Sequence, residues 1–218
     1  MSLPRVRRTL LRDEAYRLIR DAIVDGSLAA GAVIRDADLA ERLGLSRAPI
    51  RDALARLSAE GLVESKPQSF TRVTALALRE VRDAGVVVEA MHDLAVRAAV
   101  PHIGEPELAA MRAANARFAD AVRTADVDAA LLADDELHDV LVLACGNRAV
   151  LATIERYTPL IRRLERRRFA SLSGRRSIRL HEQLIAACAA GDVDAAAAVN
   201  HEIWSTLDEL IEAEEQQA

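Results

Sequence analysis

Arg47 and Arg51 stand four residues apart in the stretch Gly44-Leu45-Ser46-Arg47-Ala48-Pro49-Ile50-Arg51-Asp52-Ala53-Leu54-Ala55-Arg56-Leu57. On a helix this spacing sends both guanidinium groups out from one face, near the N-terminus, where a recognition helix meets base edges and phosphates. Guanidinium forks bind guanine O6 and N7 bidentately, and the Ser46 hydroxyl with the helix's first amides suits phosphate. Ile50, Leu54 and Leu57 fall on the opposite face as a packing surface. An ordinary solvated arginine pair is the bland reading of two such residues standing alone.

A second set of reactive groups lies where helical periodicity calls for apolar residues. One stripe reads Leu131, Asp134, His138, Leu141, Val142, Cys145; a later one reads Ile178, His181, Leu184, Ile185, Cys188; an earlier one reads Val81, Gly85, Val88, His92, Ala95, Ala99. Four ionisable groups therefore face inward, and burial penalises each unless it is paired or bound to a cation. A lone core histidine is ordinarily a hydrogen-bonded structural residue, and Asp134 with His138 alone would make an internal ion pair. Several such groups in one small bundle point instead to a shared site. A carboxylate with imidazoles suits zinc or another first-row divalent ion, with an open position for water or an anion. Hydrolytic enzymes use the same combination.

Two kinds of module are needed to hold these sets. Apolar spacing predicts helices over 12–25, from Asp36 or Asp38 to Leu43, and from the Ser46 N-cap to about Glu60, with Pro49 in the tolerated first turn. Leu62-Val63 and Thr71-Arg72-Val73 flank a polar turn containing Pro67 and read as two short strands. Three helices followed by a hairpin is the order of a winged helix-turn-helix. From Leu78 the strand signal ends, and helices are expected over roughly 78–100, 106–123, 127–145, 148–169, 175–190 and 193–213. The fold class is thus mainly α: an N-terminal winged helix-turn-helix with a small β-hairpin wing, then an antiparallel bundle of about six helices. The expected divisions are an arm over 1–9, a DNA-binding domain over 10–75, a linker over 76–78 and a helical domain over 79–218.

Charge divides the same way. Residues 1–75 hold 13 Lys+Arg against 10 Asp+Glu, net +3, and residues 76–218 hold 16 against 24, net −8. The first module suits a polyanion and the second does not. Of 218 residues 51% are hydrophobic, enough for a core and against disorder as the default. No apolar run approaches the roughly 20 residues of a membrane span, and the arginine-rich start has no signal-peptide core, so a cytoplasmic protein with no membrane partner is expected. Cys145 and Cys188 are too few for a disulfide framework or a thiolate zinc cluster.

The N-terminal residues resemble the GntR family of bacterial winged-helix transcription regulators. The likeness is carried by Ile23, Gly26, Leu28, Gly31, Leu39-Ala40, Leu43-Gly44, Ser46-Arg47-x-Pro49-x-Arg51-x-Ala53-Leu54, Leu57, Glu60-Gly61-Leu62-Val63 and Val73. It implies that Ser46, Arg47 and Arg51 contact DNA and that the strand turn is a wing for the minor groove, with Arg72 a phosphate candidate. The family's wing-tip glycine is matched here by Phe70, whose side chain stands where glycine lets the backbone approach DNA closely.

The bundle is similar to the FCD domain of the FadR-type subgroup through Asp134-x-x-Leu137-His138, Cys145-Gly146-Asn147, His181-x-x-Leu184 and Gly191-Asp192. The resemblance implies a divalent ion, zinc or nickel, held by Asp134, His138 and His181 beside a pocket for a small carboxylate. The family's further histidine would fall at Ile203, whereas the chain offers His201. Either the helix register is shifted and His201 is the fourth ligand, or the remainder comes from His92, Asn200, water or effector. The effector pocket is expected at His92, Glu89, Asn147 and Asn200. A pocket arginine common in the subgroup is replaced here by Gly85.

The function implied is a regulator that binds double-stranded operator DNA as a homodimer and responds to a small carboxylate metabolite. It is not expected to be an enzyme. The competing readings are a metal-dependent hydrolase at Asp134, His138 and His181, which would lack an H-E-x-x-H signature, and a metal-free DNA-binding dimer.

Overall fold

A computed structural model describes residues 9–66, 69–167, 169 and 174–216 of the chain. The arm expected over 1–9 and the turn residues Pro67 and Gln68 thus lie essentially outside the described residues. The element order is α1 (Thr9–Val24), β1 (Val33–Ile34), α2 (Asp36–Leu43), α3 (Arg47–Ala59), β2 (Val63–Lys66), β3 (Phe70–Val73), α4 (Leu78–Ala99), α5 (Glu105–Thr124), α6 (Val127–Cys145), α7 (Arg148–Arg167), α8 (Gly174–Ala189) and α9 (Val193–Glu215). The chain divides into two compact units, Met1–Ala77 and Leu78–Ala218.

In the first unit α1 packs on α3 and α2 on α3. Ala15, Tyr16, Ile19, Ile50, Leu54 and Leu57 are buried between them with Leu62, Val63 and Val73. Gly44 ends α2 at φ 64, a left-handed position that costs a side chain, and turns the backbone into α3. The sheet is antiparallel in the order β1-β3-β2, with Glu64 opposite Arg72 and Val33 opposite Arg72 on the other side. The two-residue β1 is absent from the sequence expectation. Val33 and Ile34 are too few for an alternating pattern, and it is the pairing of Gly31 and Ala32 with Val73 that lays them against β3.

In the second unit six helices bury one another's apolar faces, at positions within about two residues of those read from periodicity. Asp126 caps α6 by accepting from the Ala129 amide at 3.0 Å, and Asp192 caps α9 by accepting from Ala195 at 2.9 Å. The dry part of the core joins Val96, Met111, Leu137, Leu141, Leu184 and Ala196. Gly85 permits close approach of α9: a Cβ there would meet Leu207 Cδ2 at 2.7 Å. The arginine that the family resemblance places at this position would require the Leu207 side chain to shift.

Candidate functional site

The DNA-reading face is built by α3. Ser46 precedes it in extended conformation, and its hydroxyl makes no capping bond. Arg47 and Arg51 are exposed, and neither has an ion pair among the described residues. Ile50, Ala53, Leu54 and Leu57 anchor the opposite face of the helix. Arg56, one turn further on, is structural: it donates to Glu60 at 3.0 Å and covers the Tyr16 ring at 3.6 Å. Arg72 is paired with Glu64 across the β2-β3 ladder and lies 4.6 Å from the Phe70 ring centre. Phe70 therefore packs along its own strand.

The bundle holds a cavity of about 90 Å³. Helices α4 to α9 all contribute to its wall, and so does Phe169. One ligand atom each from Asp134, His138 and His181 lie within 4.8 Å of one another. Asp134 Oδ1 is 3.3 Å from His181 Nε2 and 3.9 Å from His138 Nε2. The Asp134–His138 pair comes from one turn of α6, and α8 brings in His181 as the shared inward stripes require.

Proton placement at His181 is fixed by its neighbours. The Asn115 amide nitrogen donates to the Ile178 carbonyl at 3.3 Å, so Asn115 Oδ1 is its acceptor, and His181 Nδ1–H donates to that oxygen at 3.1 Å. In a neutral ring the Nε2 lone pair then faces the Asp134 carboxylate. Two lone pairs at that distance repel unless a cation or a second proton lies between them. An imidazole held through Nδ1–H by an outer partner, with Nε2 turned to a carboxylate, is the arrangement of a metal-binding histidine. The residues therefore fit a divalent ion.

Arg162 of α7 is the main residue that sequence reasoning missed. Its side chain is 12% exposed and bonds Asp134 Oδ2 at 2.6 Å, Asp135 at 2.5 Å and Glu165 at 2.6 Å. Burial alone would raise the Asp134 carboxyl; Arg162 with His181 and His138 instead holds it well below the usual carboxylate range. Burial likewise favours a neutral Arg162, and the surrounding carboxylates overcome it. His138 is pushed down to about 4, first by burial and against the pull of Asp134. His92 is pushed down to about 3 by burial and then by His138. Both rings are neutral near pH 7, the state in which imidazole binds a metal. The available signal for Arg162 was its spacing from Thr158 and Glu165, four and three residues, which places all three on one face of α7.

Four of the expected site residues, His201, Glu89, Asn147 and Asn200, lie outside the cavity wall. His201 does not join the cluster. Its side chain is 78% exposed, and its Nδ1 pairs with Glu89 at 2.6 Å, which takes both residues away from the cavity. Ile203 lines the cavity instead, so α9 runs in the unshifted register and two residues of helix turn His201 by about 200° away from the site. Asn147 also lies elsewhere: it is exposed, and its Oδ1 accepts from the Ala149 and Val150 amides at the start of α7. Asn200 is fully buried without a partner for either amide atom, yet it is not in the cavity wall. Of the four expected pocket residues His92 lines the cavity, beside Trp204, whose Nε1 is buried and unpartnered.

Residues 11–73 match the family of bacterial regulatory proteins of the gntR type, and residues 83–206 match the FCD domain. The chain is 24% identical over 163 residues to the HTH-type transcriptional repressor RspR of Escherichia coli, covering 75% of this chain and 72% of that protein. It is 30% identical over 142 residues to an HTH-type transcriptional regulator of Agrobacterium vitis, covering 61% of this chain and 78% of that one. Among solved structures, Escherichia coli McbR/YncC has the same fold, with a TM-score of 0.83 at 19% identity over 94% of this chain and 98% of its own. With an exposed arginine pair at the tip of a third helix, and matches across both of its units, this chain belongs to the GntR family of DNA-binding transcription regulators and carries an FCD domain.

Proposed function

We propose that this regulator is a repressor that binds a pseudopalindromic operator as a homodimer, with its affinity set by a small carboxylate metabolite held beside a divalent ion in the FCD cavity. One winged helix reads few base pairs, so a two-fold dimer supplies the second half-site. The exposed apolar stripe Val86, Ala90 and Leu94 on α4, with Val87 beside it, supports a subunit contact. The repressor assignment follows the name of the RspR relative. Arg47 and Arg51 read bases, with Ser46 and Arg72 on phosphate.

The observation that carries the metal reading is the convergence of one ligand atom each from Asp134, His138 and His181 within 4.8 Å, with His181 Nδ1 engaged by Asn115. Asp134, His138 and His181 would hold the ion, zinc or nickel, which when bound supplies a positive centre for an anionic ligand. The chain's own residues prepare its place. Asn115 orients His181, Arg162 keeps Asp134 ionised through its other oxygen, and Trp204 Nε1–H is a buried donor with no partner of its own. A carboxylate effector would satisfy that donor. A second reading, a metal-free FCD domain, is favoured by Arg162, which already neutralises Asp134.

Two measurements test the proposal. Arg47→Ala or Arg51→Ala is expected to abolish specific operator binding in a gel-shift assay, about 1–3 kcal/mol per lost base contact, with the dimer intact; sequence-specific binding retained by the double variant would overturn the DNA-reading assignment. Elemental analysis with native mass spectrometry of the purified protein should give one divalent ion per chain and two chains per particle. A metal-free spectrum, unchanged by added zinc or nickel, would leave the second reading.

A further inference from the structure

His92 has no task in the site as described so far. It projects from α4 into the cavity, on a different helix from the Asp134–His138 pair and the His181 ring, and is 6% exposed. None of the hydrogen bonds among the described residues uses its ring nitrogens. A buried imidazole ordinarily satisfies at least one of them. Its neighbours are rings: His138 at 5.5 Å between centroids and 78° between planes, and Trp204 at 5.3 Å on another side.

The His92–His138 relation closely repeats that of His138 and His181, whose rings are 5.3 Å apart at 81°. Imidazoles that share an ion place their nitrogens about 2.0–2.1 Å from it, which puts ring centres about 5 Å apart around a tetrahedral centre. Both pairs are close to that spacing. Of the other carboxylates in the cavity wall, Asp135 and Glu165 bond Arg162, and Asp139 stands on α6 beside His138; His201 pairs with Glu89 outside the cavity.

We propose that His92 is the fourth protein group on the divalent ion held by Asp134, His138 and His181, so that the ion ties α4 to α6 and α8. The ligand atoms of those three already lie within 4.8 Å of one another, and His92 joins them by turning its ring about the Cβ–Cγ bond, a torsion with broad, shallow preferences. Trp204 sets the plane beside which the ring turns. This inference rests on the proposed metal reading of the FCD cavity and adds to it a ligand from α4.

Cobalt(II) and zinc titrations of the full-length protein test it, with cobalt's visible absorption reporting the donor set and zinc affinity read by competition with a chromophoric chelator. His92→Phe keeps a ring for packing and removes both nitrogens; His92→Gln is a second variant that keeps polarity. Each is first shown to fold by circular dichroism. Both are expected to weaken zinc binding about tenfold or more and to shift the cobalt bands, while His201→Ala stays within about twofold of the parent. Parent-like zinc affinity and an unchanged cobalt spectrum in both His92 variants would make His92 a packing residue and overturn the proposal while leaving the three-residue site standing. A parent protein that binds neither ion, indistinguishable from Asp134→Ala, would overturn the three-residue site and the His92 proposal together.

Discussion

At the scale of single residues, charge is distributed by what each buried group can find as a partner. Arg162 answers three carboxylates, and without it Asp134 would lack the cation that keeps it ionised. A similar arrangement stabilises the winged unit. Tyr16, 5% exposed, donates to Glu60 at 2.7 Å, and burial first, then Glu60, raises its hydroxyl from 10.0 to about 12. Because the folded value lies above the unfolded one, this contribution is complete below pH 10 and is lost as pH rises from 10 to 12. At about 1.4 kcal/mol per unit, the loss reaches up to about 3 kcal/mol. Urea unfolding at pH 9 and pH 12 should show the parent losing that much more stability than Tyr16→Phe. Equal losses in the two proteins would refute the assignment.

At the scale of elements, ends and spacings decide what faces inward. Helix α5 stops at Ala125, an exposed residue at φ 56 and ψ 30, among the described residues the non-glycine with positive φ. The left-handed region costs an L-residue about 1–2 kcal/mol, and glycine's extra freedom when unfolded returns part of that gain. Ala125→Gly is expected to stabilise the FCD unit by about 0.5–1 kcal/mol, seen as a higher urea midpoint at unchanged slope; a lower midpoint would show the turn to be held by something other than this backbone preference. Spacing also explains the largest misreading. His201 and Ile203 differ by two positions, and on a helix that small offset separates an exposed ion pair from the cavity wall.

At the scale of the whole molecule, the two units carry opposite charge, net +3 over residues 1–75 and −8 over the rest. Affinity for operator DNA should fall linearly with the logarithm of salt concentration, because each phosphate neutralised by the first unit releases counterions. Fluorescence anisotropy on a labelled duplex measures the slope, and a slope near zero would remove the polyanion as the first unit's partner. Two separate cores, one around Ile19, Ile50 and Leu57 and the other around Met111, Leu141 and Leu184, fit this division of labour.

Local pattern by itself determined the helices, the α3 arginine pair and the inward placement of Asp134, His138 and His181, because each depends on periodicity within one element. The triplet's convergence on one point, the exclusion of His201, and the entry of His92 and Arg162 were decided by how separate helices pack. Arg162 stands in the run Arg162-Arg163-Leu164-Glu165-Arg166-Arg167, which composition marks as a solvated face. Its burial follows from the α4–α7 and α6–α7 contacts, which bring three carboxylates to one guanidinium. Such an arrangement joins residues up to 28 positions apart, and the spacing of any single helix does not encode it.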